Sequence, residues 1–477
     1  MNVLKDPYFA EAFEFQIFGA LFLANSPRAF LADDTGLGKS LQALMASKMT
    51  GSDRLLILCP AIAKVSWPIE LSRWRPGLPV VVIDRETRSI PCGPVAVVCN
   101  YEATSGTTGR ARLGGLLRMT APFDVAILDE AHYLRTPTAA RTKAVYSARL
   151  DLKHSLLGAP GALPKFIWAL SRDPQKRNAG DLFPHVKALF PEAFVDKFPG
   201  GMTYTAWRDR YVNHYDNEYG RKYGTNNAIM LPELKAGLHR YILARRKADV
   251  LSELGPIQYV DLPLPIASLD RKLITSFSSG ELDRLLLGAF TEGDDLALKV
   301  AAMDPEDPAN NAAKMRKQLG LAKVPAATEW IEDFLNTNPD RKLIVFAHHR
   351  DVISTLSEAL TAKGFGHRVV MGGTPPDARA KAVSDFQGSG GPRVFIGQTI
   401  AAGTAITLTA ASDVLVLEAE YLAADNYQAI SRAHRIGQKE TVTAWFAMAA
   451  DTLDTAIMRV ARARARDADK LTADFRT

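Results

Sequence analysis

Three short stretches of this 477-residue chain carry the residue types that chemistry on a phosphoanhydride needs. The first is Thr35-Gly36-Leu37-Gly38-Lys39-Ser40, which follows the run FLADD ending at Asp34 and precedes the helix-forming LQALMASKM. Glycines at a strand-to-helix turn let backbone N–H groups approach phosphate oxygens, and the helix N-terminus favours the anion. Lys39 supplies a point charge for β and γ phosphates, and the Ser40 hydroxyl suits a magnesium ion. The second stretch is VAILDEAH, an apolar strand ending in Asp129 and Glu130. Carboxylates there lie at the sheet edge where ligands bind, Asp129 to hold magnesium through water and Glu130 to orient and activate the attacking water. The third is QAISRAHRIGQ at 428–438, with Arg432 and Arg435 three residues apart. On a helix that spacing puts both on one face, and their charge would stabilise a transferring phosphoryl group from a separate lobe.

Each stretch has a plainer reading taken singly: a Gly-rich turn beside a surface lysine, an acidic helix N-cap, a solvated basic face. Their co-occurrence favours nucleotide chemistry. One departure stands out, because a general P-loop pattern has glycine where this chain has Asp33.

The elements that must position these residues alternate short β-rich runs with longer helical patterns, the signature of parallel sheets covered by helices. LLILC at 55–59, VAVVC at 95–99 and VAILD at 125–129 predict one sheet, and KLIVFA at 342–347, RVFIG at 393–397 and DVLVLE at 413–418 predict a second. The fold class expected is α/β, with two doubly wound RecA-like lobes: an ATP-binding lobe at 1–165, mainly helical insertions at 166–325 without strand rhythm, and a second lobe at 326–477. The polar stretch GDDLALKVAAMDPEDPANN reads as an exposed excursion. With 47% hydrophobic residues the chain can build two such lobes.

A net charge of +6 permits a polyanionic partner without requiring one. Cys59, Cys92 and Cys99 all fall in the first lobe and read as small packing residues rather than a disulfide or zinc framework. No run approaches the length of a bilayer span, and the start has no apolar signal region.

Taken together the motifs resemble the Swi/Snf family of helicase-like, DNA-dependent ATPases of helicase superfamily 2, over essentially the whole chain. DDTGLGKS at 33–40, PAIAKVSWPIELSRW at 60–74, LDEAHYLR at 128–135, KLIVFAHHRD at 342–351 and above all QAISRAHRIGQ carry the resemblance. LARRKADVLSELG at 243–255 and GLAKVPA at 320–326 agree, and FPGGMTYTAWRDRY with GTNN is most similar to the fork-remodelling or annealing branch.

The resemblance implies ATP and Mg2+ as ligands, with Gln16 reading the adenine edge, residues Asp34 to Ser40 and Gln428 binding nucleotide, Ser40 and Asp129 holding the metal, and Arg432 and Arg435 as arginine fingers. It also implies DNA contacts by Lys64, Ser66, Tyr101, Thr374, Thr399 and Thr404. Two departures place coupling in doubt: Ala159 and Leu163 in SLLGAPGALP at 155–164, where the family has Thr and Asn, and Ala405 in place of a family glycine.

Between Phe198 and Lys247, Trp207, Tyr211, Tyr215, Tyr219 and Tyr223 interleave with Arg208, Arg210, Arg221, Lys222, Arg245, Arg246 and Lys247. This is either a base-stacking, backbone-tracking surface or an aromatic core with solvated charges, and Arg245–Lys247 could equally brace the lobes.

The expected function is an ATP-dependent translocase on double-stranded or branched DNA that does not separate strands. Its rivals are a conventional strand-separating DNA or RNA helicase, and a DNA-binding scaffold with weak turnover. The lobes begin near Met1 and end near Thr477, so the expectation is no appended targeting domain and an address supplied by a partner protein; a monomer without a membrane segment is expected, and a minimal, low-cysteine motor fits the cytoplasm or nucleoid of a bacterial or viral setting.

Overall fold

The computed structural model describes residues 9–104, 107–217, 220–251, 253–266, 308–399, 406–450, 452–455, 457–459 and 461–462. Fifteen strands occur among them. In chain order these are β1 (Arg28–Leu31), β2 (Arg54–Cys59), β3 (Val80–Val82), β4 (Val95–Asn100), β5 (Val125–Asp129), β6 (Phe166–Leu170), β7 (Val212–Asn217), β8 (Gly220–Asn226), β9 (Ile242–Leu243), β10 (Gln258–Pro263), β11 (Leu343–Ala347), β12 (His367–Val370), β13 (Val394–Gln398), β14 (Asp413–Val416) and β15 (Thr443–Met448). The first sheet runs β3-β4-β2-β5-β6-β1-β9 and the second β10-β15-β14-β11-β13-β12, both with parallel pairing throughout.

The central strands of both sheets are buried on both faces, which is why they read as continuous apolar runs. On one face of the first sheet Leu56, Leu58, Val97, Cys99 and Leu128 pack with Leu182, Trp207 and Leu234. On the other, Leu55, Ile57, Val98, Ile127 and Trp168 meet Leu23, Leu44, Met45 and Trp67 from the helices Glu14–Ala24, Lys39–Met49 and Ser66–Trp74. The second sheet repeats the plan. Ile344, Phe346 and Val414 face Phe386 and Ile430, while Leu343, Val345 and Leu415 face Ile331, Ile353 and Leu356. These are the two doubly wound lobes expected from sequence, and the six strands anticipated are present within one or two residues of their expected ends.

The chain divides into two compact units between Val250 and Leu251. The stretch 166–325 expected between the lobes is therefore shared out: β6 and β9 complete the first sheet, and β10 joins the second. Among its described residues helix outweighs strand, but β7 and β8 form an antiparallel ribbon that the reading without strand rhythm did not include. The ribbon escaped notice because its residues, VNHYDN and GRKYGTN, are polar on both faces and show no apolar alternation. The excursion at 293–311 lies outside the described residues up to Asp307, and its last four residues open the helix Pro308–Thr337.

Candidate functional site

β1 ends at Leu31, and the chain turns through Gly36 (φ 87°) and Gly38 (φ 76°) into the helix Lys39–Met49. Both glycines sit in the left-handed region that side chains disfavour. At Gly38 a Cβ would also stand 2.6 Å from Gln16 Nε2. The helix opens without a side-chain cap, leaving its first N–H groups as an anion cradle. Lys39 Nζ donates to the carbonyl oxygens of Asp33 (2.7 Å) and Asp34 (3.2 Å), so its charge is seated on the loop itself.

Asp33 explains why this loop departs from the glycine pattern. Its carboxylate is fully buried and accepts from Arg245 Nε (2.9 Å), Arg245 Nη2 (2.5 Å) and Gln42 Nε2 (3.0 Å). Arg245 follows β9, and Arg245 O accepts from Asp34 N at 2.9 Å. Arg245 and Lys247 are thus buried braces of the loop rather than a basic surface. Asp34 accepts from Arg172 Nε (2.8 Å) and Lys247 N (3.0 Å). Burial alone would raise the Asp34 pKa, but the Arg172 charge and the Lys247 contacts bring it below the usual carboxylate range. Gln16 also serves the loop: its Nε2 donates to Leu37 O (3.1 Å) and its Oε1 accepts from Phe13 N (3.1 Å), so the amide expected to read a base supports the cradle and its own helix.

On β5, Asp129 accepts from Trp67 Nε1 (2.9 Å) and from Glu130 N (3.0 Å). Trp67 comes from the 60–74 segment and ties that segment to the acidic pair. Burial and the neighbouring Glu130 carboxylate push Asp129 upward. For Glu130 burial acts the same way but is outweighed by His132, whose Nδ1 lies 3.1 Å from Oε2, and the group is held low. Burial pushes His132 itself down, against the hydrogen bond and charge of Glu130. Glu130 has φ 49°, a left-handed conformation that costs a non-glycine residue energy and that clusters at functional sites.

The element that closes the site is β6. Leu170 is in register with both Leu31 and Asp129, so the next residues emerge between the cradle and the acidic pair. Ser171 Oγ is 2.9 Å from His132 Nδ1 and 3.5 Å from Glu130 Oε2, and Arg172 reaches Asp34. In SLLGAPGALP, Leu156–Gly158 forms a short 3-10 turn packed on the first core. Ala159 and Leu163 are partly buried there and pack against that core. Ser171 and Arg172 were missed because FIWAL, a five-residue apolar run, carries no periodicity that separates strand from helix.

Gly36, Gly38, Lys39 and the uncapped helix start fit triphosphate, and the buried Thr35 hydroxyl, without a hydrogen-bond partner, has an acceptor or donor to gain from it. Ser40 and Asp129 are an alcohol and a carboxylate, the oxygen donors that magnesium takes.

In the second unit the helix Ala423–Ile430 carries Gln428 and ends before the arginines. Arg432 and Arg435 therefore lie in turns, and the shared helical face expected for them is not formed: Arg432 is buried, whereas Arg435 is half-buried with Nη1 donating to Thr407 Oγ1 (2.7 Å) and Ile406 O (3.0 Å). His434 Nε2 lies 2.8 Å from Gly255 O, and Gln438 Nε2 donates to Ala411 O (2.9 Å). Here the histidine and glutamine of the motif are structural ties.

Of the expected DNA contacts, Lys64, Ser66 and Thr374 are half-buried. Tyr101 and Thr399 are corrected: Tyr101 is fully buried with its hydroxyl on Asp129 O (2.9 Å), and Thr399 is buried with its hydroxyl on Ala347 O (3.2 Å). Thr404 and Ala405 lie outside the described residues, as does Tyr219. The aromatic and basic interleave proves mostly core. Trp207 and Tyr211 pack with Phe194 and Phe198, Arg208 lies over Tyr204 and Tyr223, Arg210 pairs with Glu233, and Arg221 with Asp209 and Asp216. Tyr215 alone of its described aromatic rings is well exposed.

GLAKVPA supplies a further buried network. Lys323 Nζ donates to Leu417 O (2.6 Å), Ala447 O (3.2 Å) and Asp454 Oδ2 (2.9 Å), and Arg316 on the same helix pairs with Glu420 (3.1 Å). Glu420 and Glu418 in turn receive His348 and His349, which follow β11.

Residues 15–290 match the family model described as the SNF2-related domain, more than half of the chain, and residues 326–437 match the helicase conserved C-terminal domain. The chain is 30% identical over 466 residues to the DNA annealing helicase and endonuclease ZRANB3 of Mus musculus, covering 95% of this chain and 40% of that protein. It is 27% identical over 469 residues to the Caenorhabditis elegans homolog of SWI/SNF-related matrix-associated actin-dependent regulator of chromatin subfamily A-like protein 1, covering 95% and 61%. The chain thus spans about 40% of the length of the mouse relative. A solved Sulfolobus solfataricus SWI2/SNF2 ATPase core in complex with dsDNA aligns over 97% of this chain and 93% of that one at 17% identity and a TM-score of 0.42. Among the described residues no helix is long and apolar enough to cross a membrane.

Proposed function

The chain belongs to the SNF2-related family of helicase-like, DNA-dependent ATPases, and from that premise we propose that it is a motor that hydrolyses ATP on double-stranded or branched DNA and moves along the duplex without separating its strands. The observation that carries this reading is the meeting of the cradle after β1, the acidic pair after β5 and Ser171 after β6 at one sheet edge, set by the register of Leu31, Leu170 and Asp129.

The backbone N–H groups from Gly36 to Ser40 would hold the phosphates of ATP, and Lys39 would exchange its seat on the Asp33 and Asp34 carbonyls for phosphate oxygens. Ser40 and Asp129 would hold magnesium, which supplies charge neutralisation when bound. Glu130, held low and therefore ionised at neutral pH, would orient the attacking water and take its proton, while His132 and Ser171 fix one of its oxygens. For Arg432 and Arg435 the proposed role is the one their motif implies, charge for the transferring phosphoryl group.

The DNA half rests on family membership, on the partly exposed Lys64, Ser66 and Thr374 as phosphate contacts, and on similarity to a mouse protein named an annealing helicase, since annealing runs opposite to strand separation. The test pairs two substrates. ATP-dependent release of a triplex-forming strand from duplex, without release of a labelled strand from a tailed duplex, is expected. Efficient release of the duplex strand would overturn the translocase reading in favour of a conventional helicase.

A further inference from the structure

Consecutive residues after β6 reach the two halves of the ATP site. Ser171 stands against His132 and Glu130, and Arg172 stands against Asp34. The Arg172 contact is not a loose surface pair. The side chains are 22% and 10% exposed, the Nε to Oδ1 distance is 2.8 Å, and the other Asp34 oxygen is taken by Lys247 N at 3.0 Å. Arg172 Nη1 also lies 3.8 Å from Asp173 Oδ2, so the guanidinium is shared between two carboxylates. The peptide of Asp34 is as constrained as its side chain, because its N–H donates to Arg245 O (2.9 Å) and its carbonyl accepts from Lys39 Nζ (3.2 Å).

We propose that Arg172 is a positioning residue of the phosphate cradle: by fixing the Asp34 carboxylate it holds the backbone that turns through Gly36 and Gly38 in the conformation that receives phosphate, and so sets the affinity of this unit for the phosphates of a nucleoside triphosphate. The contact reaches Lys39 through one residue, and Ser171 joins it to the Glu130 side of the same edge. Nothing in the cradle motif requires it, since the segment that carries Arg172 comes from another strand. Burial would tend to protonate Asp34, and the charge of Arg172 is the largest influence opposing that, which keeps the carboxylate an acceptor at neutral pH. A contact that organises the cradle before nucleotide arrives stabilises bound substrate and transition state alike, so its loss appears in KM rather than kcat.

This inference rests on the cradle binding ATP, and the experiment separates the two. Binding of a fluorescent ATP analogue with magnesium, and steady-state ATP turnover at saturating duplex DNA, are measured on the full chain for wild type, Arg172→Ala, Arg172→Lys, Asp34→Asn and the Arg172→Ala/Asp34→Asn double variant. Arg172→Ala should weaken analogue binding and raise KM roughly tenfold, the scale of one lost charge-assisted hydrogen bond, with kcat within about twofold. Its Tm should move by no more than about 3 °C, because Asp34 keeps the Lys247 N–H. Arg172→Lys should recover most of the affinity, and the double variant should bind no worse than the weaker single one. An unchanged KM in Arg172→Ala, strictly additive single effects, or a loss visible only as lowered Tm and active fraction would overturn the inference. Failure of the wild type to bind the analogue would instead overturn the ATPase reading itself.

Discussion

Arg245 lays its guanidinium along the carboxylate of Asp33, with Nε at 2.9 Å from Oδ1 and Nη2 at 2.5 Å from Oδ2, and the two side chains are 3% and 0% exposed. The aspartate that breaks the general P-loop pattern is thus the anchor by which the strand β9 and the residues after it grip the phosphate loop. Gln42, on the helix that follows the loop, completes the ring by donating to Asp33 and accepting from Arg245 (2.7 Å).

Removing one partner of a buried pair leaves an uncompensated charge, which costs about 3–5 kcal/mol. Arg245→Ala should therefore lower the stability of the first unit by that amount, measured by urea unfolding followed through Trp67 and Trp168 fluorescence. The double variant Arg245→Met/Asp33→Leu should recover much of the loss, since replacing both charges with apolar groups of similar volume is often near neutral. A loss below about 1 kcal/mol in Arg245→Ala would mean that the pair behaves as a surface contact.

Arg435 is half-buried on the carbonyl of Ile406 and the hydroxyl of Thr407, whereas Arg432 is buried in the second core region. Arg435→Ala should lower DNA-stimulated turnover by on the order of 10³, the scale of an arginine finger, while binding of a fluorescent ATP analogue changes by less than about twofold. Arg432→Ala should add a fall in the thermal stability of the second unit. Parallel loss of binding and turnover in Arg435→Ala would contradict the assignment.

His185 gives the first unit an acid weakness. It is buried against Phe30, Tyr146 Oη lies 3.0 Å from its Nδ1, and burial lowers its pKa to about 3 from the ordinary 6.5. Between those values the unfolded chain binds a proton that the folded one refuses, so stability rises with pH there and falls as pH drops from 6.5 toward 3. The His185 contribution has a slope of about 1.4 kcal/mol per pH unit at most. His185→Gln should flatten the urea midpoint of the first unit between pH 6 and pH 4, and an unchanged slope would remove His185 as the cause.

The sheets and the phosphate loop were legible in sequence because both leave local marks: apolar runs for strands buried on both faces, and glycines where φ is positive. Asp129 and Glu130 were legible for the same reason, at the end of such a run. What local pattern cannot carry is register. Leu170 meeting Asp129 and Leu31 is a long-range pairing, and only that pairing brings Ser171 and Arg172 to the site. Burial misled in the other direction. Tyr101 and Thr399 looked like polar surface contacts, yet each spends its hydroxyl on a backbone carbonyl inside its own unit. The arginines at 432 and 435 were identified by spacing, but the helix that would have aligned them stops at Ile430.

The most direct test is ATP turnover with and without DNA in the wild type, Lys39→Ala and Glu130→Gln. Duplex or forked DNA should raise wild-type turnover, Lys39→Ala should abolish both the rise and analogue binding, and Glu130→Gln should keep binding while turnover falls about 10²–10⁴-fold, the range for a lost general base. Turnover indifferent to DNA, or unchanged in either variant, would contradict the account of this chain as a DNA-driven ATPase.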